Sequence, residues 1–164
     1  MIWLIITVII VLSDQLTKYI IKSNIEYGEM IPVIENFLYI THHSNTGAAW
    51  GLFSNSTLFL TILSGIVIIL IAAAMPKFNT ALLKWAFSLI LGGAIGNQID
   101  RILFGRVTDF IDTYYWGYNF PIFNVADSSI VIGSILLLIY MFFYYKDEDF
   151  SFLERKAAKE KNNT

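Results

Sequence analysis

Asp109 and Asp127 stand on either side of a short aromatic-rich stretch, and that stretch separates two long apolar runs. Both carboxylates therefore fall where a membrane span meets water. An ionised carboxylate near hydrocarbon costs about 2.5 to 3.5 kcal/mol on insertion scales, so a pair kept there calls for a functional explanation. The chemistry open to two close carboxylates is general acid–base hydrolysis. They cannot both ionise easily, so one keeps a proton at a raised pKa while its partner stays charged. The charged one takes a proton from an attacking water, and the protonated one donates to the oxygen of a peptide carbonyl. Such a mechanism uses no metal, cofactor or covalent intermediate, and no cofactor is expected.

Other hydrolytic arrangements have no residues to build them. There is no Gly-x-Ser-x-Gly elbow, no histidine inside an apolar run to activate a serine, and no cysteine anywhere in the 164 residues. A serine–lysine pair would need a lysine on the face that holds the aspartates, and only Lys18 and Lys22 come near it. His42 and His43 are adjacent, so on a strand they point to opposite faces, and with no His-Glu-x-x-His a metal site is not expected.

Each candidate also has a plainer reading. Asp127, in Asn124-Val-Ala-Asp127-Ser128-Ser129, could simply cap a helix, although more capping residues are present than one helix end needs. Asp109 could be a solvated loop residue, although its neighbours Phe110 and Ile111 would desolvate it. Asp14 and Lys18 are four apart, which suits a self-neutralising ion pair as well as a supporting role near the aspartates. Gly93, Asn97 and Arg101 step by four along one helix face, which favours a convergent polar site over an interfacial anchor at Arg101. Gly92 and Gly96 form a small-xxx-small pair that lets a neighbouring helix come close.

The elements that must position these residues are membrane spans. Of the 164 residues 56% are hydrophobic and only 15% charged, and the mean hydropathy is +0.61, more apolar surface than a soluble domain of this size can hide. Four runs, at 2–21, 58–75, 81–99 and 127–145, approach the roughly 20 residues that cross about 30 Å of hydrocarbon. One domain over 1–164 is expected, an all-α integral membrane protein with four transmembrane helices. Its outer segments would be 22–57 and 100–126, and its tail 146–164. The first run is not read as a cleaved signal peptide, because it has no cationic start and no small-residue cleavage site and carries Asp14 and Lys18.

Lys77 and Lys84 mark one face, with Lys146, Arg155, Lys156, Lys159 and Lys161 of the tail, whereas the other face has only Lys22, Arg101 and Arg106. The positive-inside rule then puts both termini in the cytoplasm and both aspartates on the outer face. Phe37 to Thr41 is β-prone and bounded by turn residues, which predicts a small extracytoplasmic β-sheet. Met75-Pro76-Lys77-Phe78-Asn79 reads as a tight inner turn, with Asn79 or Thr80 capping the next helix. The aromatic stretch 112–120 reads as an interfacial helix or loop, either an anchor or a lid hinged at Gly117. The tail reads as frayed or surface-lying. A proton-coupled transporter or an assembly protein is a competing reading, but neither explains two aspartates gathered at one face, and no internal repeat is visible.

Five ordered blocks carry a resemblance. They are Asp14-Gln-Leu-Thr-Lys18, Asn45-Thr-Gly-Ala-Ala-Trp50-Gly51, Gly93-Ala-Ile-Gly-Asn97-Gln-Ile-Asp100-Arg101, Val107-Thr-Asp109-Phe110-Ile111, and Phe120-Pro-Ile-Phe-Asn124-Val-Ala-Asp127-Ser128. Together they resemble bacterial lipoprotein signal peptidase, also called signal peptidase II, over essentially the whole transmembrane length. The resemblance implies that Asp109 and Asp127 form a catalytic dyad. It also implies that Asn45, Arg101 and Asn124 line the substrate pocket, and that Asp14, Lys18, Asn97 and Gly93 support it. The implied substrate is a diacylglyceryl-modified prolipoprotein, cut on the N-terminal side of the lipidated cysteine within the cell membrane. Membrane lipids and globomycin-like peptide inhibitors are the other implied partners, and no nucleic acid is expected. Thr108 stands where an aliphatic residue is common, Trp50 where Phe is frequent, and the N-terminus lacks the usual positive charge.

Overall fold

The computed structural model describes residues 2–47 and 56–152. Trp50 and Gly51 of the second sequence block, and the tail cations from Arg155 on, lie outside the described residues. Four long helices form the body: α1 (Ile2–Asn24), α2 (Thr57–Ala74), α3 (Ala81–Phe104) and α4 (Val125–Ile139). A single turn of π-helix, Tyr140–Tyr144, continues α4. Three of these are long and apolar enough to cross a membrane by length and composition: α1, α2 with the 3-10 turn Met75–Lys77, and α4 with its π turn.

α3 falls short of that hydropathy for a physical reason. It sits at the centre, packed against α1, α2 and α4, so its neighbours are helices rather than lipid. Its buried face accordingly holds Ser88, Gly92, Gly93, Gly96, Asn97 and Asp100. A Cβ on Gly92 would lie 2.8 Å from Ile10 of α1 and one on Gly96 would lie 2.6 Å from the Asp14 carboxylate, whereas one on Gly93 would collide with the Ala126 carbonyl of α4. The small-residue pair thus seats α1, and Gly93 seats α4. By contrast α2 turns Leu58, Ile62, Ile66, Ile69 and Leu70 outward.

The fold is not purely all-α. A four-stranded antiparallel sheet of order β1-β2-β3-β4 joins both outer segments: β1 (Met30–Ile34), β2 (Leu38–Asn45), β3 (Val107–Tyr115) and β4 (Tyr118–Asn119). The β-prone run at 37–41 falls at the start of β2. The aromatic stretch, expected as an interfacial helix or loop, is instead the end of β3 and its hairpin to β4. Trp116 and Gly117 form the two-residue turn, with φ of 47° and 81°, the positive values a tight hairpin of this hand requires. Tyr and Phe stiffened by cross-strand pairing prefer this to a helix. The pairing of β2 with β3 sets Asn45 opposite Val107 and His43 opposite Asp109, with an irregularity between Ile40 and His43.

At the other end of the bundle the expected turn at Met75–Lys77 is present, but the N-terminus of α3 is not capped by Asn79 or Thr80. Asp149 does it from 69 residues away: its carboxylate accepts from the Thr80 amide at 3.0 Å, from the Thr80 hydroxyl at 2.6 Å and from the Asn79 amide at 2.6 Å. The Tyr140 hydroxyl donates to it at 2.7 Å. Burial pushes the Asp149 pKa up, but the four hydrogen bonds outweigh it and hold the group at about 2. Phe150 and Phe152 pack edge-on against Phe78. The start of the tail is therefore docked rather than frayed, because it supplies what the helix end lacks.

Candidate active site

Asp109 lies on β3 and Asp127 in the first turn of α4, and both line one cavity of about 1000 Å³. Asn124 ties them together. It is the N-cap of α4: its side chain accepts from the Asp127 amide at 2.9 Å while the Asp127 carboxylate accepts from the Asn124 amide at 3.1 Å. The other end of the same side chain donates to Asp109 Oδ1 at 2.7 Å. Asp127 thus takes the capping role that its plainer reading predicted and still presents its carboxylate to the cavity. The remaining carboxylate oxygens are also held: Asn45 donates to Asp109 Oδ2 at 3.1 Å, and Asn97 to Asp127 Oδ1 at 2.8 Å.

Asp109 is only 2% exposed. Burial, and then the nearby charge of Asp127, push its pKa up to about 7 against the hydrogen bonds from Asn45 and Asn124. At neutral pH it is divided between its two protonation states, which suits a group that must lend a proton.

Asn45 and Arg101 line the cavity, together with Tyr118, Phe120 and Phe123 and the α4 residues Ile130 and Val131. One wall is therefore polar and charged, and the other is aromatic and aliphatic. Asn124 has no exposed surface and lies behind the carboxylates.

A buried polar cluster backs the pair. Lys18 forms an ion pair with Asp14 at 2.8 Å, reaches Asp100 at 3.6 Å and donates to Asn97 Oδ1 at 3.0 Å. Asp14 accepts from the Ala126 amide at 3.0 Å, and Asp100 from the Thr108 amide at 2.9 Å, so each anchors the residue preceding one of the two aspartates. The two readings of Asp14 and Lys18 thus coincide, since the ion pair is itself the link to the site. Gln15 adds bonds to the Gly96 carbonyl at 3.0 Å and to Asp100 at 3.4 Å. Gln15, Asp100 and Thr108 were given no role at the site by sequence reasoning, although Thr108 stood out as a departure from the family pattern. Asp100 had a signal, standing three residues beyond Asn97 and so on the same side of the helix.

The sequence profile described as Signal peptidase (SPase) II matches residues 6–143. The chain belongs to the signal peptidase II family. A protein named lipoprotein signal peptidase from Halalkalibacterium halodurans is 44% identical over 164 residues, covering 99% of each chain. Two solved structures are also similar, both described as a bacterial membrane enzyme determined by the in meso method. The one at 2.3 Å resolution has a TM-score of 0.80 at 45% identity, covering 85% of this chain and 86% of the other. The one at 1.9 Å has a TM-score of 0.79 at 44% identity, covering 87% and 94%. The activity that goes with signal peptidase II membership is lipoprotein signal peptidase activity, that of an aspartic endopeptidase in a bacterial membrane.

Proposed function

We propose that Asp109 and Asp127 are the catalytic pair, and that they remove the signal peptide from diacylglyceryl-modified prolipoproteins on the N-terminal side of the lipidated cysteine. The observation that carries this reading is the joint placement of two carboxylates in one cavity, held by a single buried asparagine, with Asp109 near pKa 7. Asp127, at a helix N-terminus where negative charge is favoured, takes a proton from water as the water oxygen attacks the scissile carbonyl. Asp109 gives its proton to the carbonyl oxygen, and the tetrahedral intermediate forms. Collapse breaks the C–N bond, the leaving amine receives the proton from Asp127, and Asp109 recovers its own.

Asn45 and Arg101 bind the substrate from the polar wall. Asn124, Asn97, Asp14, Lys18 and Gly93 act on the site by holding its parts in place. The apolar wall of α4 accepts the signal helix, and the acyl chains stay in lipid. α3 is the fourth span: its 24 residues measure about 36 Å at 1.5 Å per residue, enough to cross about 30 Å. Four spans give one membrane domain with both termini cytoplasmic and the site at the outer face, as the distribution of Lys and Arg requires. Globomycin-like peptides would inhibit by occupying the same cavity, and no cofactor or nucleic acid takes part.

The test is a gel-shift assay with purified enzyme and one prolipoprotein, presented with and without its diacylglyceryl group. Cleavage of the lipidated form alone is expected. Equal cleavage of both would remove the lipid from the recognition, and cleavage of neither would remove the substrate class.

A further inference from the structure

A second, smaller cavity of about 230 Å³ lies between the last turns of α1 and α3 and the reverse face of the sheet, lined by Lys22, Tyr27, His42, Ser44, Arg106 and Thr108 together with Phe104. Strand alternation turns most of its lining away from the active site, and the two cavities share only Ser44. On β3, Thr108 faces this cavity and Asp109 the catalytic one; on β2, His42 faces this cavity and His43 the catalytic one.

Its charge is one-sided. The two outer segments contain three cations, Lys22, Arg101 and Arg106. Arg101 lines the catalytic cavity, and the other two meet here. Among the described residues neither forms an ion pair, and no carboxylate lines the cavity. Lys22 is held in place by the Phe104 ring, 4.0 Å from its centroid, a contact that fixes the ammonium without neutralising it. The His42 Nδ1–H donates to the Ile25 carbonyl at 3.0 Å, which fixes the ring at the cavity edge. Tyr27, Ser44 and Thr108 add three hydroxyls, so the cavity offers two cations and several neutral donors. Near the cavity α1 exposes Tyr19 and Ile20, one turn before its end, and the last turn of α3 exposes Ile102 and Leu103, which suit acyl chains.

The geometry points to a binding site for the phosphodiester headgroup of an anionic phospholipid, in the leaflet that faces the catalytic aspartates. Cations set at the water end of transmembrane helices recognise such headgroups, and the apolar residues below favour a lipid over a free anion. The site needs only the membrane setting and is independent of which residues catalyse.

Native mass spectrometry of the full-length protein in detergent, with phosphatidylglycerol or phosphatidylcholine added, tests this directly. One tight phosphatidylglycerol adduct is expected, and in the Lys22→Gln, Arg106→Gln double variant it should bind about thirtyfold more weakly, from two cations at about 1 kcal/mol each. The Lys22→Arg, Arg106→Lys pair keeps both charges and should retain the adduct, which separates loss of charge from loss of folding. Equal affinity for both lipids, or an adduct unchanged in the double glutamine variant, would overturn the proposal. Millimolar inorganic phosphate that displaces the adduct would overturn the lipid assignment, reducing the site to one for a free anion.

Discussion

Asn45→Ala should move the alkaline limb of the pH–rate profile upward, in the opposite direction from a simple loss of activity. The Asn45 amide donates to Asp109 Oδ2 at 3.1 Å, and a donor of this kind stabilises the charged carboxylate. Hydrogen bonds to charged groups are worth about 1.5 to 3 kcal/mol, and 1.36 kcal/mol corresponds to about one pKa unit. Asn45 is half-buried, so the lower end applies and the expected shift is about one unit. Asp109 starts at about 7; without the amide its anion is disfavoured, and its pKa rises to about 8. If Asp109 lends the proton, the enzyme stays competent to higher pH, even though the plateau of kcat/KM falls with the loss of a substrate contact. The assay is initial-rate cleavage of a lipidated prolipoprotein from about pH 5 to about pH 10, because kcat/KM reports the free enzyme. A limb that stays in place or moves down would refute Asp109 as the proton donor.

Three further outcomes follow from the packing. Asp149→Asn should lower the melting temperature by about 5 °C, since a pKa of about 2 against an ordinary ~3.9 is worth on the order of 2 kcal/mol. That contribution is fully present above about pH 4 and disappears as the pH falls through about 2, so wild type and variant should converge in acid; a difference that persists there contradicts the clamp. Gly93→Ala sets a methyl against the Ala126 carbonyl, displaces the first turn of α4, and should cut kcat by about a hundredfold; wild-type turnover in this variant would mean that α4 can shift without cost. A single cysteine at Trp116, the fully exposed hairpin tip, should react with an impermeant thiol reagent on intact cells, and one at Asn79 only after permeabilisation. The chain has no cysteine of its own, and the reverse pattern would invert the topology.

What could be read from the sequence and what could not divide along physical lines. The ends of α1, α2 and α4 follow from runs of aliphatic residues meeting polar ones, and Pro76 marks the inner turn, because hydrocarbon thickness and proline act locally. The pairing of Asp109 with Asp127 was suggested by their shared face, but its agent, Asn124, could not be assigned. A capping asparagine and one that also donates to a strand 15 residues away look identical in a sequence. The sheet was half visible: β2 has a β-prone core, whereas β1 contains Pro32 and β4 has two residues. β1 is held by its pairing with β2 and β4 by its pairing with β3, neither of which a local pattern reveals. Asp149 gave no signal at all, since nothing near it indicates that the α3 N-terminus lacks a cap. The resemblance to the signal peptidase II family was carried by blocks whose order could be read without knowing any of these contacts.

The central claim is that two aspartates share the chemistry, and Asp109→Asn and Asp127→Asn test it most directly. Asparagine keeps the volume, and at 127 its carbonyl can still accept from the Asn124 amide, so helix capping survives while proton transfer does not. Each purified variant should keep the wild-type melting temperature within a few degrees and show no cleavage of a lipidated prolipoprotein in the gel-shift assay. Substantial turnover by either folded variant would contradict the account.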